Sequence, residues 1–311
     1  GITMRRIASG LIVIMSVLLV SGNGKTGNTI TVGSDKIDNT QSYFSESMHK
    51  AARCDSGYYY LDKCGASADN LMFYDDKSEE SIVLCNKPQC GHDGEECMAY
   101  ISGSEFKSEL YYYNSYIYMI SSKGNLVRIS ADGTQRTDLG SICVLSGQDS
   151  VSMCFNDGYA YVSQEITGDI EGNVTVRLYR FNLDTGSSDK IYEETGYGIG
   201  INSLKTYGSD TFFLKTSVSK DDKGLYSLEG KGIFRITGEN TECLLDKNVY
   251  SYCIDADNNK LYYSGLGDGM IYEYDLGSGK SESIYKSDND TGYFYITFDG
   301  NYIWMDDEGY K

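Results

Sequence analysis

From Gly57 onward, apolar and polar residues alternate along short runs, and each run ends at a polar turn. A period of two is the pattern of a half-buried β-strand. The runs also recur. An opening turn followed by an aromatic-rich strand appears at Gly57-Tyr58-Tyr59-Tyr60, Ser115-Tyr116-Ile117-Tyr118 and Gly158-Tyr159-Ala160-Tyr161. It returns at Asp210-Thr211-Phe212-Phe213, Asn259-Lys260-Leu261-Tyr262 and Gly300-Asn301-Tyr302-Ile303. The spacing is irregular, at roughly 50 residues, which suits repeats separated by variable loops.

The second half of each unit repeats as well. A strand is predicted at Leu126-Val127-Arg128-Ile129, Leu178-Tyr179-Arg180-Phe181, Ile233-Phe234-Arg235-Ile236 and Ile271-Tyr272-Glu273-Tyr274. Tight turns follow at Asp132-Gly133, Thr185-Gly186, Thr237-Gly238 and Ser278-Gly279, where glycine supplies a positive φ. A closing strand comes next, as in Lys190-Ile191-Tyr192 and Ser283-Ile284-Tyr285. A further strand precedes each opening turn, as in Val151-Ser152-Met153-Cys154-Phe155. Four-stranded antiparallel units set around an axis protect most sheet edges, so the expected fold is an all-β propeller. A stacked β-solenoid would have a shorter period and parallel strands. Five blades are readable and a sixth opens at Asn301. Its missing strands would come from the segment around 40–53, or the chain is a truncated piece of a longer protein, and truncation is the favoured expectation.

Before the repeat the pattern changes. Gly1, Ile2 and Thr3 read as lying ahead of a start at Met4; Arg5 and Arg6 form a positive region, and Ile7 to Val20 is an apolar run closed by the small residues Ser21 and Gly22. That order is the secretory signal layout, and the run is short of the ~20 residues a spanning helix needs. Residues 1–22 are therefore expected to be a signal peptide. Residues 23–50, rich in Gly, Ser, Thr, Asn and Asp, are expected to be a flexible tether. The propeller then occupies 51–311. Val20-Ser21-Gly22 also looks like the start of a lipobox, but Asn23 stands where the lipid-bearing cysteine would be. Lipid attachment at Asn23 is excluded, and any membrane association is expected through an N-terminal anchor alone.

Composition narrows the partners. The formal charge is −18, which argues against nucleic acid, whose phosphates recruit Lys and Arg. One proline, 35 glycines and 29 tyrosines suit short strands and tight turns. The chain has only two histidines, His49 in the tether and His92, which leaves little for histidine-dependent catalysis. It has no Gly-x-Ser-x-Gly elbow, His-Glu-x-x-His pair or P-loop. Gly196-Tyr197-Gly198-Ile199-Gly200 reads as a plain loop. Asp255 to Asn259 begins like a calcium loop, but Lys260 and Leu266 break that pattern, so it reads as an opening turn. Tyr111-Tyr112-Tyr113 could stack on sugar rings, and it reads first as strand packing.

One segment carries candidate chemistry. The insertion 85–97 holds Cys85, Cys90, His92 and Cys97 in the spacing Cys-x4-Cys-x-His-x4-Cys. Thiolates and imidazole are the ligands of tetrahedral zinc. A disulfide-pinned loop is the other reading, given the exported location. Cys143 with Cys154, and Cys243 with Cys253, are each expected to join a closing strand to the next inner strand, as free core thiols rather than disulfides. Cys54 and Cys64 bracket the first opening strand.

Ser81-Ile82-Val83-Leu84, the cysteine loop and Met98-Ala99-Tyr100 resemble a family of predicted Gram-positive surface lipoproteins with propellers of the low-density-lipoprotein-receptor or TolB-like kind. The repeat openings and the Leu-Tyr-Arg-Phe type strands resemble it too, over roughly residues 57–311. The resemblance implies a location at the cell surface or outside the cell, and a fold; it implies no activity. The expected function is a non-enzymatic binding module for an extracellular protein or glycan. The alternatives are an exported hydrolase or lyase acting on glycans, and a structural platform with a metal-binding cysteine loop.

Overall fold

The structure, a computed structural model, describes residues 4–8 (backbone), 51–108, 110–168, 172–207, 210–238, 240–288, 292, 294–298 and 300–306. The expected tether, and all of the expected apolar run except Ile7 and Ala8, lie outside these residues. All regular structure among the described residues is β-strand. It begins with β1 (Met4–Ala8), and the strands fall into two compact units.

The larger unit, Ile37–Asp246, holds four antiparallel sheets. The first contains β2 (Ala51–Cys54), β3 (Gly57–Gly65), β4 (Ala68–Asp75) and β5 (Glu80–Val83), with β6 (Tyr100–Ser102) also on β4. The second contains β7 (Tyr111–Tyr113), β8 (Tyr116–Ile120), β9 (Asn125–Ser130) and β10 (Arg136–Ser141). The third contains β11 (Ser150–Asn156), β12 (Tyr159–Thr167), β13 (Asn173–Asn182) and β14 (Ser188–Tyr197). The fourth contains β15 (Gly200–Tyr207), β16 (Asp210–Lys220), β17 (Tyr226–Thr237) and β18 (Asn240–Leu245). In the second, third and fourth sheets consecutive strands are neighbours, so each is a simple meander; in the first, β5 and β6 both pair with β4. The opening strands predicted from the repeat are the second strands of the sheets, β3, β8, β12 and β16. The predicted turn glycines Gly133, Gly186 and Gly238 all have φ between 61° and 72°.

Burial falls from the first two strands of a sheet to the last. β12 is buried along five consecutive residues, whereas the residues of β14 are exposed or half-buried. Middle strands are covered on both faces by neighbouring sheets, while last strands face water. Adjacent sheets meet through their first strands, β2 beside β7, β7 beside β11 and β11 beside β15. Tyrosines make these junctions, because each couples a large apolar ring to a polar tip. Tyr113 stacks on Phe155 at 5.2 Å, and its hydroxyl accepts a hydrogen bond from Gly158 N at 3.2 Å. Tyr59 stacks on Tyr112 at 5.6 Å and donates to Ala131 O at 2.9 Å. The run 111–113 is thus strand packing.

The second unit contains β19 (Val249–Asp255), β20 (Lys260–Gly265), β21 (Met270–Asp275) and β22 (Ser281–Lys286) in one sheet. Its other sheet is three-stranded, with β24 (Tyr302–Asp306) between β23 (Tyr295–Phe298) and β1. Met4–Ala8, expected as part of the signal, here pairs antiparallel with β24, Met4 opposite Asp306. The segment around 40–53 does not serve the sixth sheet among the described residues; β2 belongs to the first. Ser264 Oγ donates to Phe294 O at 2.7 Å, tying the two sheets over a core that includes Ile271, Ile303 and Met305. The fold is the all-β arrangement of four-stranded antiparallel blades expected from the repeat.

Candidate metal centre

The site grows out of a split outer strand. β5 pairs with Met72–Asp75 of β4, and β6 pairs with Ala68–Asn70 of the same strand. Between them stands Leu71, which is fully buried. Its N–H donates to Ala99 O at 2.7 Å, and its carbonyl accepts from Leu84 N at 2.9 Å. The chain therefore leaves the sheet after Leu84 and re-enters at Ala99 beside the same residue. The excursion between them is the cysteine insertion.

Short turns shape the excursion. Cys90 N donates to Lys87 O at 3.3 Å and Cys97 N donates to Gly94 O at 2.9 Å. Gln89 and His92 sit in the left-handed region at φ 60° and 56°. Non-glycine residues hold that conformation only where their surroundings dictate it. The result brings the predicted set together: Cys85, Cys90, His92 and Cys97 each place a ligand atom so that all four lie within 4.8 Å of one another. His92 Nδ1 is 3.3 Å from Cys97 Sγ. A tetrahedral zinc ion with sulfur at ~2.3 Å and nitrogen at ~2.0 Å has donor-to-donor edges of roughly 3.5–3.8 Å, so a small contraction would close the shell. This Cys3His group can bind a metal ion.

The cluster is anchored on its inner side. Cys97 is buried and belongs to the same core as Leu71, Leu84, Ala99 and Ile101, while Cys85 and Cys90 pack against that core. Burial pushes the Cys97 thiol up to about 11, and neighbouring Cys85 and Cys90 add to the shift. Burial also opposes the Cys85 thiolate, but the Lys87 backbone and the other two cysteines outweigh it and hold its pKa below the usual thiol value. The Cys85 and Cys97 thiols are therefore unequal and mutually dependent, as expected of thiols crowded together.

The second sheet supports the loop from below. Gly133 has φ +72°, and a Cβ there would lie 2.5 Å from Leu84 O. Glycine is required for both reasons, so the Asp132–Gly133 turn rests on the residue that precedes Cys85. Asp132 braces that turn by accepting from Ser130 Oγ at 2.6 Å, Thr134 N at 3.0 Å and Thr134 Oγ1 at 2.7 Å. These bonds hold its carboxyl down at about 2.

No disulfide joins any of the nine cysteines in the structure. Cys154 and Cys253 are buried on first strands, as expected. Cys143 is buried but lies just beyond β10, and Cys243, expected in a core, is exposed on β18. An outer strand has no sheet covering it, so its residues stay wet.

The sequence singles out no carboxylates, and the structure places two of them in separate hydrogen-bonded settings. Asp149 accepts from Ser146 N at 2.9 Å and Gln164 Nε2 at 2.8 Å, while Tyr179 donates to Gln164 Oε1 at 3.1 Å. Glu165 accepts from Ile201 N at 3.0 Å, and burial raises its pKa. These bonds tie loops and strands together. The signal was available only as polar residues inside an otherwise apolar strand.

No protein-family model matches the chain, and no curated protein matches it. Solved structures do. Puromycin hydrolase aligns with a TM-score of 0.53 at 11% identity, over 83% of this chain and 42% of that one. An oligogalacturonate lyase from Vibrio parahaemolyticus gives 0.40 at 10% identity, over 91% and 93%. A nidogen/laminin complex gives 0.43 at 12% identity, over 76% and 78%. This chain spans less than half the length of the puromycin hydrolase chain. These neighbours are β-propeller proteins, and at such identities the likeness is one of fold.

Proposed function

We propose that this chain is an exported β-propeller binding module whose Cys3His loop is clamped by one structural zinc ion. The observation that carries the zinc assignment is the convergence of Cys85, Cys90, His92 and Cys97 on one point. A disulfide would join two of three sulfurs and give neither the third sulfur nor the imidazole a reason to be there. A tetrahedral ion uses all four. Four protein ligands leave no open position for substrate, which is the mark of a structural site. The zinc would supply charge neutralisation and a four-way cross-link. The protein's own part is to present the ligands from a loop closed at both ends on Leu71.

The binding role rests on the signal-like order of residues 4–22, the tether composition and the resemblance to Gram-positive surface lipoproteins. The partner is an extracellular protein or glycan, met at the cell surface. Cleavage after Gly22 would also remove β1 and leave β23 as the described partner of β24.

The test is elemental analysis of chain purified without chelator. The expected result is about one zinc per chain, lost in Cys90→Ser and His92→Ala. Absence of metal together with loop thiols that fail to titrate would overturn the zinc reading in favour of a disulfide staple. Retention of the full-length protein in the cytoplasm of its host would overturn the surface role.

A further inference from the structure

The four ligand residues of the cysteine loop are unequally sheltered. Cys97 is 3% exposed and packs with Leu71, Leu84 and Ala99, whereas Cys85, Cys90 and His92 are half-buried. Cys90 closes the turn that begins at Lys87, with exposed Pro88 and Gln89 before it and exposed Gly91 after it. An oxidant arriving from water therefore meets Cys90 first. The Cys85 sulfur lies within 4.8 Å of the Cys90 sulfur, so a partner for it is already in place.

Chemistry at this pair would act on the loop and spare the sheet. Both ends of the loop are fixed by backbone bonds to Leu71, and Val83 and Tyr100 keep their register on β4 through the ladder. None of those bonds passes through a ligand atom. Gln89 and His92, by contrast, are held at positive φ inside the loop. Such residues relax once nothing holds them.

Building on the zinc assignment above, we propose that the Cys3His loop is an oxidant-sensitive clasp. Hydrogen peroxide joins Cys90 to Cys85 in a disulfide, the zinc is released, and residues 91–96 open. The Cys90 thiolate attacks one peroxide oxygen, the O–O bond breaks, and the hydroxide that leaves takes up a proton to become water. The Cys85 thiolate then attacks the sulfur of the sulfenic acid. The S–S bond forms, and a second hydroxide leaves and is protonated to water. Each sulfur gives up one electron and the peroxide takes both, while the zinc keeps its charge. Cys97 and His92 remain, and two ligands are too few for a site that needs four. A thiol reductant, with zinc, restores the clasp.

The test uses the full chain, reduced, loaded with zinc, freed of excess metal and titrated with hydrogen peroxide beside a chromogenic zinc chelator. About one zinc should be released for each two thiols lost. Peptide mass mapping should find Cys85 joined to Cys90. Cleavage by a glutamate-specific protease should rise at Glu95 and Glu96, which are exposed in the loop. Circular dichroism should stay unchanged. So should tryptic cleavage at Lys223, at the tip of the two-stranded ribbon that β16 and β17 form beyond Thr216 and Ile233, where pairing with their neighbours stops. Cys90→His keeps four ligands without the pair and should slow zinc release roughly tenfold or more. A reduced chain that takes up no zinc overturns the clasp together with the zinc assignment. Zinc retained under peroxide, a disulfide that includes Cys97, release from Cys90→His at the parent rate, or loss of the sheet signal overturns the clasp alone.

Discussion

The first and fourth sheets depart from the same four-stranded plan in opposite ways. In the first, the outer strand is interrupted and the extra residues are folded back, closed on Leu71 and gathered around four ligand atoms. In the fourth, no residue is inserted between strands. The two middle strands simply run on past their neighbours, and the extra length stays exposed. Extra chain can be stabilised by turning inward or left to meet something outside. The first course needs ligands and a core to rest on. The second needs only a hairpin whose two strands satisfy each other.

Three measurements would break or sharpen that contrast, beyond the metal analysis. The largest effect should come from truncating one leucine in each region. Leu71 is fully buried, and Leu71→Ala should cost about 2–5 kcal/mol by denaturant unfolding. Leu228 is 48% exposed, and Leu228→Ala should stay within about 0.5 kcal/mol. Similar losses at both sites would show the ribbon to be packed rather than projecting.

A smaller effect should follow removal of the metal. A cross-link around a loop of ~15 residues is worth about 3 kcal/mol, so chelator-treated chain should unfold earlier by about that amount. Proteolysis localises the change. Glu95 and Glu96 are exposed in the loop, and a glutamate-specific protease should cut there readily only after metal removal. Trypsin should cut the ribbon tip at Lys223 equally with and without metal.

The smallest effect concerns acid. The Asp132 carboxyl is held at about 2, below an ordinary aspartate at about 3.9. Its folded-state pKa is lowered, so its stabilisation is present above the ordinary value. That stabilisation is lost as pH falls from about 4 through about 2. A carboxyl NMR titration of Asp132 should show this midpoint. Asp132→Ala should remove the matching loosening of the turn beneath Leu84, and should leave the ribbon unchanged.

The repeat was legible because inner strands combine aromatic residues with turn glycines at fixed offsets. Those signals come from burial on both faces and from positive φ, and Gly133, Gly186 and Gly279 carry them faithfully. The metal ligands were legible from residue type and spacing alone. Their anchorage was not, because Leu71 is one ordinary leucine in β4 and its role comes from backbone bonds. β5 and β6 were too short, at four and three residues, to reveal a divided strand. The ribbon was hidden for a different reason. Alternation predicts that Tyr226 and Leu228 share a face, but it cannot say whether a neighbouring strand covers their edge. Cys243 failed as a core residue on the same ground, since most of β18 is exposed.

The return of the chain to Leu71 has a consequence for how such a protein can change over generations. Val83 opposite Met72 and Tyr100 opposite Asn70 keep a common register on β4, whatever lies between them. The insertion is therefore a cassette. It can lengthen, shrink, exchange its ligands or vanish into a tight turn, and the blade beneath would keep the same pairing throughout.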